Sequence, residues 1–216
     1  MTRAGIDVSN YSSPFTPEQL DYIRDNISFV IIGLQSAAKA RAFKVQLQEL
    51  AAVSVDLEYY VDKPGRDVSI ADPGNRIWID VEVGCFTSVS WVDNEIMLLQ
   101  NEGLTPGIYC NRVSLQVLDA PPNPAWSTLP LWYADYRDPR LDSFVPFNGW
   151  GLPAIWQYSS NGVAGINCDL NVSYEELVVP PPTEPQPPQA QPYVTYNRIG
   201  FSDGSEWYLE VKAPPQ

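Results

Sequence analysis

The chain has 216 residues, and 26 acidic against 13 basic residues give it a net charge of −13. This charge repels nucleic-acid phosphates, so we expect no nucleic-acid partner. Histidine is absent, which excludes Ser-His-Asp and Cys-His nucleophile systems, His-ligated zinc and imidazole acid–base chemistry. Proton transfer near neutral pH therefore falls to Asp, Glu, Tyr, Lys or Cys, and carboxylates are the first candidates in so acidic a chain.

Strand-like apolar runs alternate with amphipathic stretches through the first five predicted strands. Strands are predicted at 4–9, 28–34, 53–61, 77–83, 107–110, 129–136, 153–158 and 165–170, and helices at 17–26, 37–50, 89–101 and 112–118. The last three strands are crowded together with little helix between them. This pattern predicts an α/β fold, a TIM-like (β/α) barrel with incomplete late helices. The alternative, an open doubly wound sheet, should carry a glycine-rich phosphate turn, and no GxGxxG or Walker-type loop occurs.

Composition changes at Pro180. Residues 180–192 read PPPTEPQPPQAQP, which predicts a semi-rigid polyproline linker after a barrel domain at 1–179. Residues 193–216 contain two β-rich runs around a Ser-Asp-Gly-Ser turn, which predict a short C-terminal β-hairpin. Since a hairpin of this size is only marginally stable alone, we expect it to pack on the barrel, on a second copy or on a larger partner.

Three cysteines, Cys85, Cys110 and Cys168, are odd in number and widely spaced. We therefore expect half-buried apolar side chains without disulfides. The first residues run into a strand without an apolar signal region, and no apolar stretch approaches the roughly 20 residues of a membrane span. These features predict synthesis without a signal peptide and no membrane partner.

Acidic residues share one face of the strand at 77–83. Its odd-numbered residues are Ile and Val and should pack against helices, whereas Trp78, Asp80 and Glu82 should face the barrel interior near the strand's carboxyl end. Barrel enzymes hold their chemistry at that end. Asp7 in the first strand and Asp169 in the last repeat the arrangement, and these two strands become neighbours when a barrel closes. The acids could instead lie on a solvent-exposed face of the strand. However, acids within an apolar run cost several kcal/mol to bury unless they are paired or have a function.

Four carboxylates in one cleft favour a particular chemistry. They cannot all ionise easily, so at least one should keep its proton near neutrality. A protonated acid beside ionised partners suits cleavage of a glycosidic bond through an oxocarbenium-like transition state. A metal site is the alternative use, but hard-cation loops such as DxDxDG are absent. We expect neither a metal nor another cofactor.

Aromatic residues accompany the acids near the predicted strand ends. They could stack on sugar rings, although each could equally belong to the core. Tyr60 and Tyr133 lie among them, and the candidate substrate-binding residues are Tyr59, Tyr109, Trp132, Tyr136, Trp156 and Tyr158.

Six motifs in order carry a resemblance to a known family. They are Gly5-Ile6-Asp7-Val8-Ser9, Asp80-Val81-Glu82, Gly107-Ile108-Tyr109, Leu131-Trp132-Tyr133-Ala134-Asp135-Tyr136, Ile155-Trp156-Gln157-Tyr158-Ser159-Ser160 and Asp169-Leu170-Asn171-Val172. Together they resemble glycoside hydrolase family 25, the Chalaropsis-type lysozymes of phage endolysins and bacterial autolysins. The resemblance extends from about Gly5 to Val172.

The resemblance implies a muramidase acting on the glycan strand of peptidoglycan. It implies cleavage of the β-1,4 bond between N-acetylmuramic acid and N-acetylglucosamine, with Glu82 as general acid and Asp7, Asp80 and Asp169 lining the cleft. Retention of configuration through the substrate's N-acetyl group has been proposed for this family. The resemblance also implies action at the bacterial wall after delivery by a holin or within a virion, and residues 193–216 could then anchor the chain to a phage particle.

The sequence departs from the family pattern at two places. Gly33 and Leu34 stand where an arginine is common, and Tyr59-Tyr60-Val61 replaces a Tyr-His-Phe-like triplet, which puts the substrate contacts on that side in question. A catalytically inactive barrel used as a wall-binding or virion structural module is therefore an alternative. A different barrel glycosidase such as a chitinase is disfavoured, because its longer DxxDxDxE motif is missing.

Overall fold

The computed structural model describes residues 2–52, 54–85, 88–118 and 125–174. The strands are β1 (Arg3–Val8), β2 (Phe29–Gly33), β3 (Asp56–Val61), β4 (Arg76–Asp80), β5 (Thr105–Cys110), β6 (Leu131–Ala134), β7 (Ile155–Ser159) and β8 (Asp169–Ser173). The helices are α1 (Pro17–Asn26), α2 (Ala37–Ala51), α3 (Val89–Asn101) and α4 (Arg112–Val117). Single 3-10 turns lie at Val68–Ile70, Trp126–Thr128 and Leu141–Ser143.

The eight strands form a closed barrel in chain order. Strands β1 to β7 all run in the same direction. Strand β8 closes the ring and runs antiparallel to both β1 and β7. The barrel prediction is confirmed and the open-sheet alternative is wrong. The late helices are incomplete as expected, since after β5 the longest described helix, α4, has six residues.

Polar caps fix where the early helices begin. Thr16 accepts a hydrogen bond from the Gln19 backbone, and the Gln19 side chain returns one to the Thr16 backbone, with Pro17 in the first turn. Ser36 and Ser88 cap α2 and α3 in the same way through one side-chain bond each. Each of these helices begins at a defined point after its strand, and because β1 to β7 run in one direction their carboxyl ends lie at one rim.

Two apolar cores lie on the two faces of the sheet. The larger lies between the strands and the helices, and the smaller fills the barrel interior with Phe29, Ile31, Tyr60, Trp78, Tyr109, Trp132, Ala154 and Ile155. The Trp132 ring lies 4.4 Å from the Tyr109 ring and 5.8 Å from the Trp78 ring, centroid to centroid. The interior is therefore a packed aromatic floor beneath the rim.

Close packing of this floor requires a glycine on β5. A Cβ on Gly107 would lie 2.5 Å from the six-membered ring of Trp78, which is fully buried. We expect Gly107→Ala to lower the free energy of unfolding by about 1–3 kcal/mol, because the ring has no space to move into. Chemical denaturation measures this. Gly151→Ala is the matched control, since nothing lies within 4 Å of its new methyl group, and equal stability of the two variants would contradict the packing argument.

Strand β4 is shorter than predicted. It ends at Asp80, and a turn follows in which the Cys85 amide donates to the Glu82 carbonyl at 3.1 Å and Gly84 has a φ of 95°. The prediction that Val83 packs against helices is wrong, since its exposed fraction is 58%. The turn takes Val83 out of the strand alternation, so that Glu82 follows the strand and does not belong to it.

The last strand was predicted at 165–170 but lies at Asp169–Ser173. A tight turn precedes it, in which Val163 and Ile166 form an isolated bridge and Ala164 has a φ of 50°. Both ends of the strand lie later in the chain than predicted, and Asp169 is its first residue.

All three cysteines are free thiols; Cys85 is half-buried as predicted, whereas Cys110 and Cys168 are buried. Within the described residues, none of the helices combines the length and apolar character needed to cross a membrane. The predicted linker at 180–192 and hairpin at 193–216 lie outside the described residues.

Candidate active site

The carboxyl ends of the strands surround a cleft of about 630 Å³. All four acids singled out in the sequence line it: Asp7, Asp80, Glu82 and Asp169. Asp7 and Asp169 are directly opposite each other in the β1–β8 ladder. Barrel closure thus brings together residues that lie 162 positions apart, counted from 7 to 169 in the sequence.

Two buried amides hold Asp7 in place. Asn171 and Gln157 each donate a side-chain N–H to the same oxygen, Asp7 Oδ2, at 2.8 and 2.9 Å. The orientation of Asn171 is fixed, because its oxygen accepts a bond of 2.8 Å from the Trp132 indole, which can only donate. The oxygen of Gln157 likewise accepts from the Tyr109 hydroxyl at 3.0 Å. Asp7 Oδ2 is therefore an acceptor, and a proton on this carboxyl belongs on Oδ1.

Burial and charge raise the proton affinity of Asp7. Its exposed fraction is 7%, and removal from water raises its pKa to about 7, with the nearby negative charge of Asp169 acting in the same direction. The hydrogen bonds from the Asn171 and Gln157 side chains lower the pKa of Asp7, but by less than burial and the charge of Asp169 raise it. Asp7 therefore exchanges its proton near neutral pH.

The DxE motif places two further carboxyls side by side. One oxygen of Asp80, one oxygen of Glu82 and Cys85 Sγ all lie within 4.8 Å of one another. Asp80 is 5% exposed, and its Oδ1 is buried without a hydrogen-bond partner. Burial and the charge of Glu82 raise the pKa of Asp80 well above its ordinary range, partly offset by a hydrogen bond from the Cys85 thiol.

Glu82 and Asp169 are less deeply placed than the other two acids. Burial raises the pKa of Glu82, with a further contribution from the charge of Asp169, and burial also raises the pKa of Asp169. All four carboxyls are thus shifted toward the protonated form. The arrangement can hold protons near neutrality, which the crowding of acids in the sequence predicted on physical grounds.

Part of this cluster also has the geometry of a cation site. Among the described residues, Asp80, Glu82 and Cys85 are the group whose ligand atoms lie close enough together to hold a metal ion. Acid clusters of this kind are common without an ion, and the carboxylates have the acid–base use described above.

Basic residues occupy the wall beside β3. Arg66 donates two hydrogen bonds to Asp62, at 2.6 and 2.8 Å, and one to the Gln35 carbonyl at 3.0 Å. Arg66 and Lys63 both line the cleft. This wall departs from the family pattern at Gly33, and the structure places an arginine here from a different segment of the chain.

Three of the six candidate aromatic residues reach the cleft or its edge. Tyr109 and Trp132 line it from β5 and β6. Tyr136 follows β6, is 57% exposed, and places its hydroxyl 3.4 Å from the Gln157 oxygen. Tyr60 also lines the cleft, although the sequence did not single it out for substrate binding.

The structure does not bring the other three candidates to the cleft. Tyr59 and Trp156 are buried in the core between sheet and helices, and Tyr158 packs against that core. They lie near strand ends as expected, but alternate residues of a strand point to opposite faces. Tyr60 and Gln157, their chain neighbours, face the cleft instead.

The chain is similar to known proteins over part of its sequence and in its fold. No protein-family model matches the chain. A probable glycoside hydrolase family 25 lysozyme from Dictyostelium discoideum is 30% identical over 102 residues, which cover 44% of this chain and 48% of that protein. The chain thus matches about half the length of this curated relative.

Solved structures share the fold. A muramidase from Acremonium alcalophilum matches with a TM-score of 0.59 and 18% identity, over 78% of this chain and 92% of that one. The autolysin LytC of Streptococcus pneumoniae, solved with a synthetic peptidoglycan ligand, matches with a TM-score of 0.58 and 18% identity, over 80% and 47% of the two chains. The resemblance to glycoside hydrolase family 25 is confirmed. At 18% identity, these structural matches show the fold alone, and the similarity in sequence is to the probable lysozyme from Dictyostelium discoideum.

Proposed function

We propose that this chain is a lysozyme that hydrolyses the β-1,4 bond between N-acetylmuramic acid and N-acetylglucosamine in peptidoglycan. The observation that carries the proposal is the meeting of Asp7, Asp80, Glu82 and Asp169 in one cleft with raised pKa values. Four such acids without histidine leave carboxyl chemistry as the means of proton transfer. The family 25 relative supports the choice of substrate.

Glu82 is the general acid in this proposal. It follows β4 at the rim, is less buried than Asp80, and its pKa is raised, so that it holds a proton to give to the leaving glycosidic oxygen. Asp80 is the second carboxyl. One of its oxygens lies within 4.8 Å of one oxygen of Glu82. The proposal includes retention of configuration, for which carboxyl groups lie about 5–5.5 Å apart, against about 6.5–9.5 Å in inverting enzymes.

Asp7 and Asp169 surround the reacting centre with negative charge. Their carboxyls can stabilise the positive charge that develops on the sugar in the transition state. The amides of Gln157 and Asn171 fix the position of Asp7. Tyr136, which is 57% exposed, provides a ring surface for a sugar, and the buried rings of Tyr109 and Trp132 form the floor beneath the sugar.

The site of action in this proposal is the bacterial cell wall. Delivery by a holin or within a virion belongs to the proposal, as does self-association or anchoring to a phage particle through residues 193–216. These residues lie outside the described part of the chain.

Product analysis tests the function. Purified cell wall is digested with the full chain, the products are reduced, and mass spectrometry identifies the sugar at each new reducing end. We expect N-acetylmuramic acid. New N-acetylglucosamine ends would contradict the bond assignment, and no new ends together with retained wall binding would favour the non-catalytic module.

A further inference from the structure

A second cavity lies beside the cleft and has no role in the proposed chemistry. It measures about 460 Å³ and lies at the same rim of the barrel, where the chain leaves β5 and β6. We call it the β6 cavity. Its walls include Arg112, Val113, Tyr133, Arg137, Phe144 and Trp156.

The β6 cavity and the cleft are separated by a narrow ridge. On β7, Trp156 lines the β6 cavity and its chain neighbour Gln157 lines the cleft. Tyr136 forms the ridge, because its hydroxyl lies 3.4 Å from the Gln157 oxygen while Asp135 and Arg137 on either side of it line the β6 cavity. A substrate held in the cleft therefore needs to cross only one side chain to enter the β6 cavity.

Aromatic and aliphatic groups form much of the cavity wall. The Tyr133 and Trp156 rings pack edge to face with centroids 5.2 Å apart, and Phe144 lies 5.2 Å from Tyr133. Val113 lies at the entrance of the cavity, with a side chain that is 65% exposed. Such a surface suits small apolar side chains of a ligand.

One positive charge in the cavity has no direct ion pair, although it lies near enough to Asp135 to help Arg137 lower the pKa of that carboxyl. Arg137 is neutralised by Asp135, to which its guanidinium donates at 2.8 Å. Arg112 instead donates to the Val145 carbonyl, and its guanidinium lies over the Phe147 ring at 5.1 Å. Its Nε is buried without a hydrogen-bond partner, and it forms no ion pair within the described parts of the chain. In a protein of net charge −13, this cation favours an anionic ligand.

We infer that the β6 cavity binds the stem peptide of the glycan strand being cleaved, with a peptide carboxylate at Arg112 and small apolar side chains against Phe144 and Trp156. The inference rests on the proposed function, since the stem peptide hangs from the muramic acid that the cleft would hold. An extended peptide gains about 3.3–3.6 Å per residue, so two or three residues reach across the Tyr136 ridge. A strand without its peptide keeps a carboxylate on the lactyl group of muramic acid, but it has no chain that extends across the Tyr136 ridge to Arg112.

The test compares one wall substrate with and without its peptides. Glycan strands are used intact or after an amidase has removed the stem peptides, and kcat/KM is measured for the full chain. We expect the wild type to prefer the intact strands by about two- to fivefold, the range of a single partly exposed charge contact. Val113→Glu should lose this preference because it places a negative charge at the cavity entrance, whereas Val113→Gln, of the same size, should keep it. All three proteins should act alike on peptide-free strands.

A direct binding measurement separates the two proposals. The free stem peptide L-Ala-D-Glu-L-Lys is titrated into the protein, and NMR follows the indole N–H of Trp156, which donates to the Asp135 carbonyl at 2.8 Å. A shift in wild type and Val113→Gln but not in Val113→Glu supports the inference even if neither glycan is cleaved, which would defeat only the proposed function. Equal cleavage of both glycans, no shift with peptide, or a shift with inorganic phosphate alone would overturn the inference.

Discussion

Glu82→Gln should lower kcat on cell-wall substrate by about 10²–10⁴-fold, the usual contribution of a general acid. Glutamine keeps the size and hydrogen-bonding capacity of the side chain but has no proton to give to the leaving oxygen. The fold should persist, because Glu82 follows β4 in a turn held by a backbone bond from Cys85. Loss of wall turbidity measures the rate, and binding to insoluble wall should be retained.

A substrate with a better leaving group distinguishes loss of the acid from general damage to the site. A nitrophenolate departs with little help from a proton, so a nitrophenyl glycoside should be cleaved by Glu82→Gln with a much smaller deficit than the wall is. Glu102→Gln, at the exposed end of α3, should match the wild type on both substrates. An unchanged wall rate in Glu82→Gln would reject Glu82 as the acid, and equal deficits on both substrates would point to a structural defect.

The acidic half of the site could be predicted because it follows the strand alternation. Asp7, Asp80 and Asp169 interrupt apolar strands at positions facing the barrel interior, and closure of the ring brings the first and last strands together. The sequence also placed Glu82 in the cleft, but on the assumption that its strand continues to Val83. The strand ends two residues before it, and the turn at Gly84 sets its position.

The aromatic half was predicted less well because proximity to a strand end does not determine the face. Tyr59 and Tyr60 are both near the end of β3, yet one packs against the helices and the other lines the cleft. Side chains alternate along β3, so Tyr59 shares the helix-facing side with Val61. Tyr60 faces the interior beside Trp78. Applying the alternation used for 77–83 to the tyrosines would have identified Tyr60.

The two amides that hold Asp7 were present in the sequence but carried no signal of their own. Gln157 and Asn171 are 2% and 1% exposed, and a buried amide requires partners. Their positions on interior faces became clear only once β8 was known to run antiparallel between β7 and β1. The β6 cavity depends on the segment after β6 folding back over Tyr133, which no local pattern predicts.

The second large effect concerns stability, and Asp7→Asn should increase it at neutral pH. Burial raises the pKa of Asp7 from 3.8 to about 7 in the folded protein, so folding disfavours its charged form. Below about pH 4 both the folded and the unfolded chain hold the proton, and the residue costs nothing. As pH rises toward 7 the unfolded chain ionises first, and the wild type loses up to about 3–4 kcal/mol. Asparagine does not ionise, and its oxygen can accept the bonds from Gln157 and Asn171.

The free energy of unfolding, measured by urea denaturation from pH 3.5 to 8, should therefore separate the two proteins only as pH rises. Asp7→Asn and wild type should agree near pH 3.5, diverge through the window from about pH 4 to 7, and stay apart above it. Asp142→Asn, an exposed substitution, should follow the wild type throughout. A variant less stable than wild type at pH 7, or a difference independent of pH, would contradict the buried acid described here. Asp7→Asn should also lose wall hydrolysis, because the proposed reaction uses the negative charge of Asp7. Groups that serve a reaction are often kept at a cost in stability.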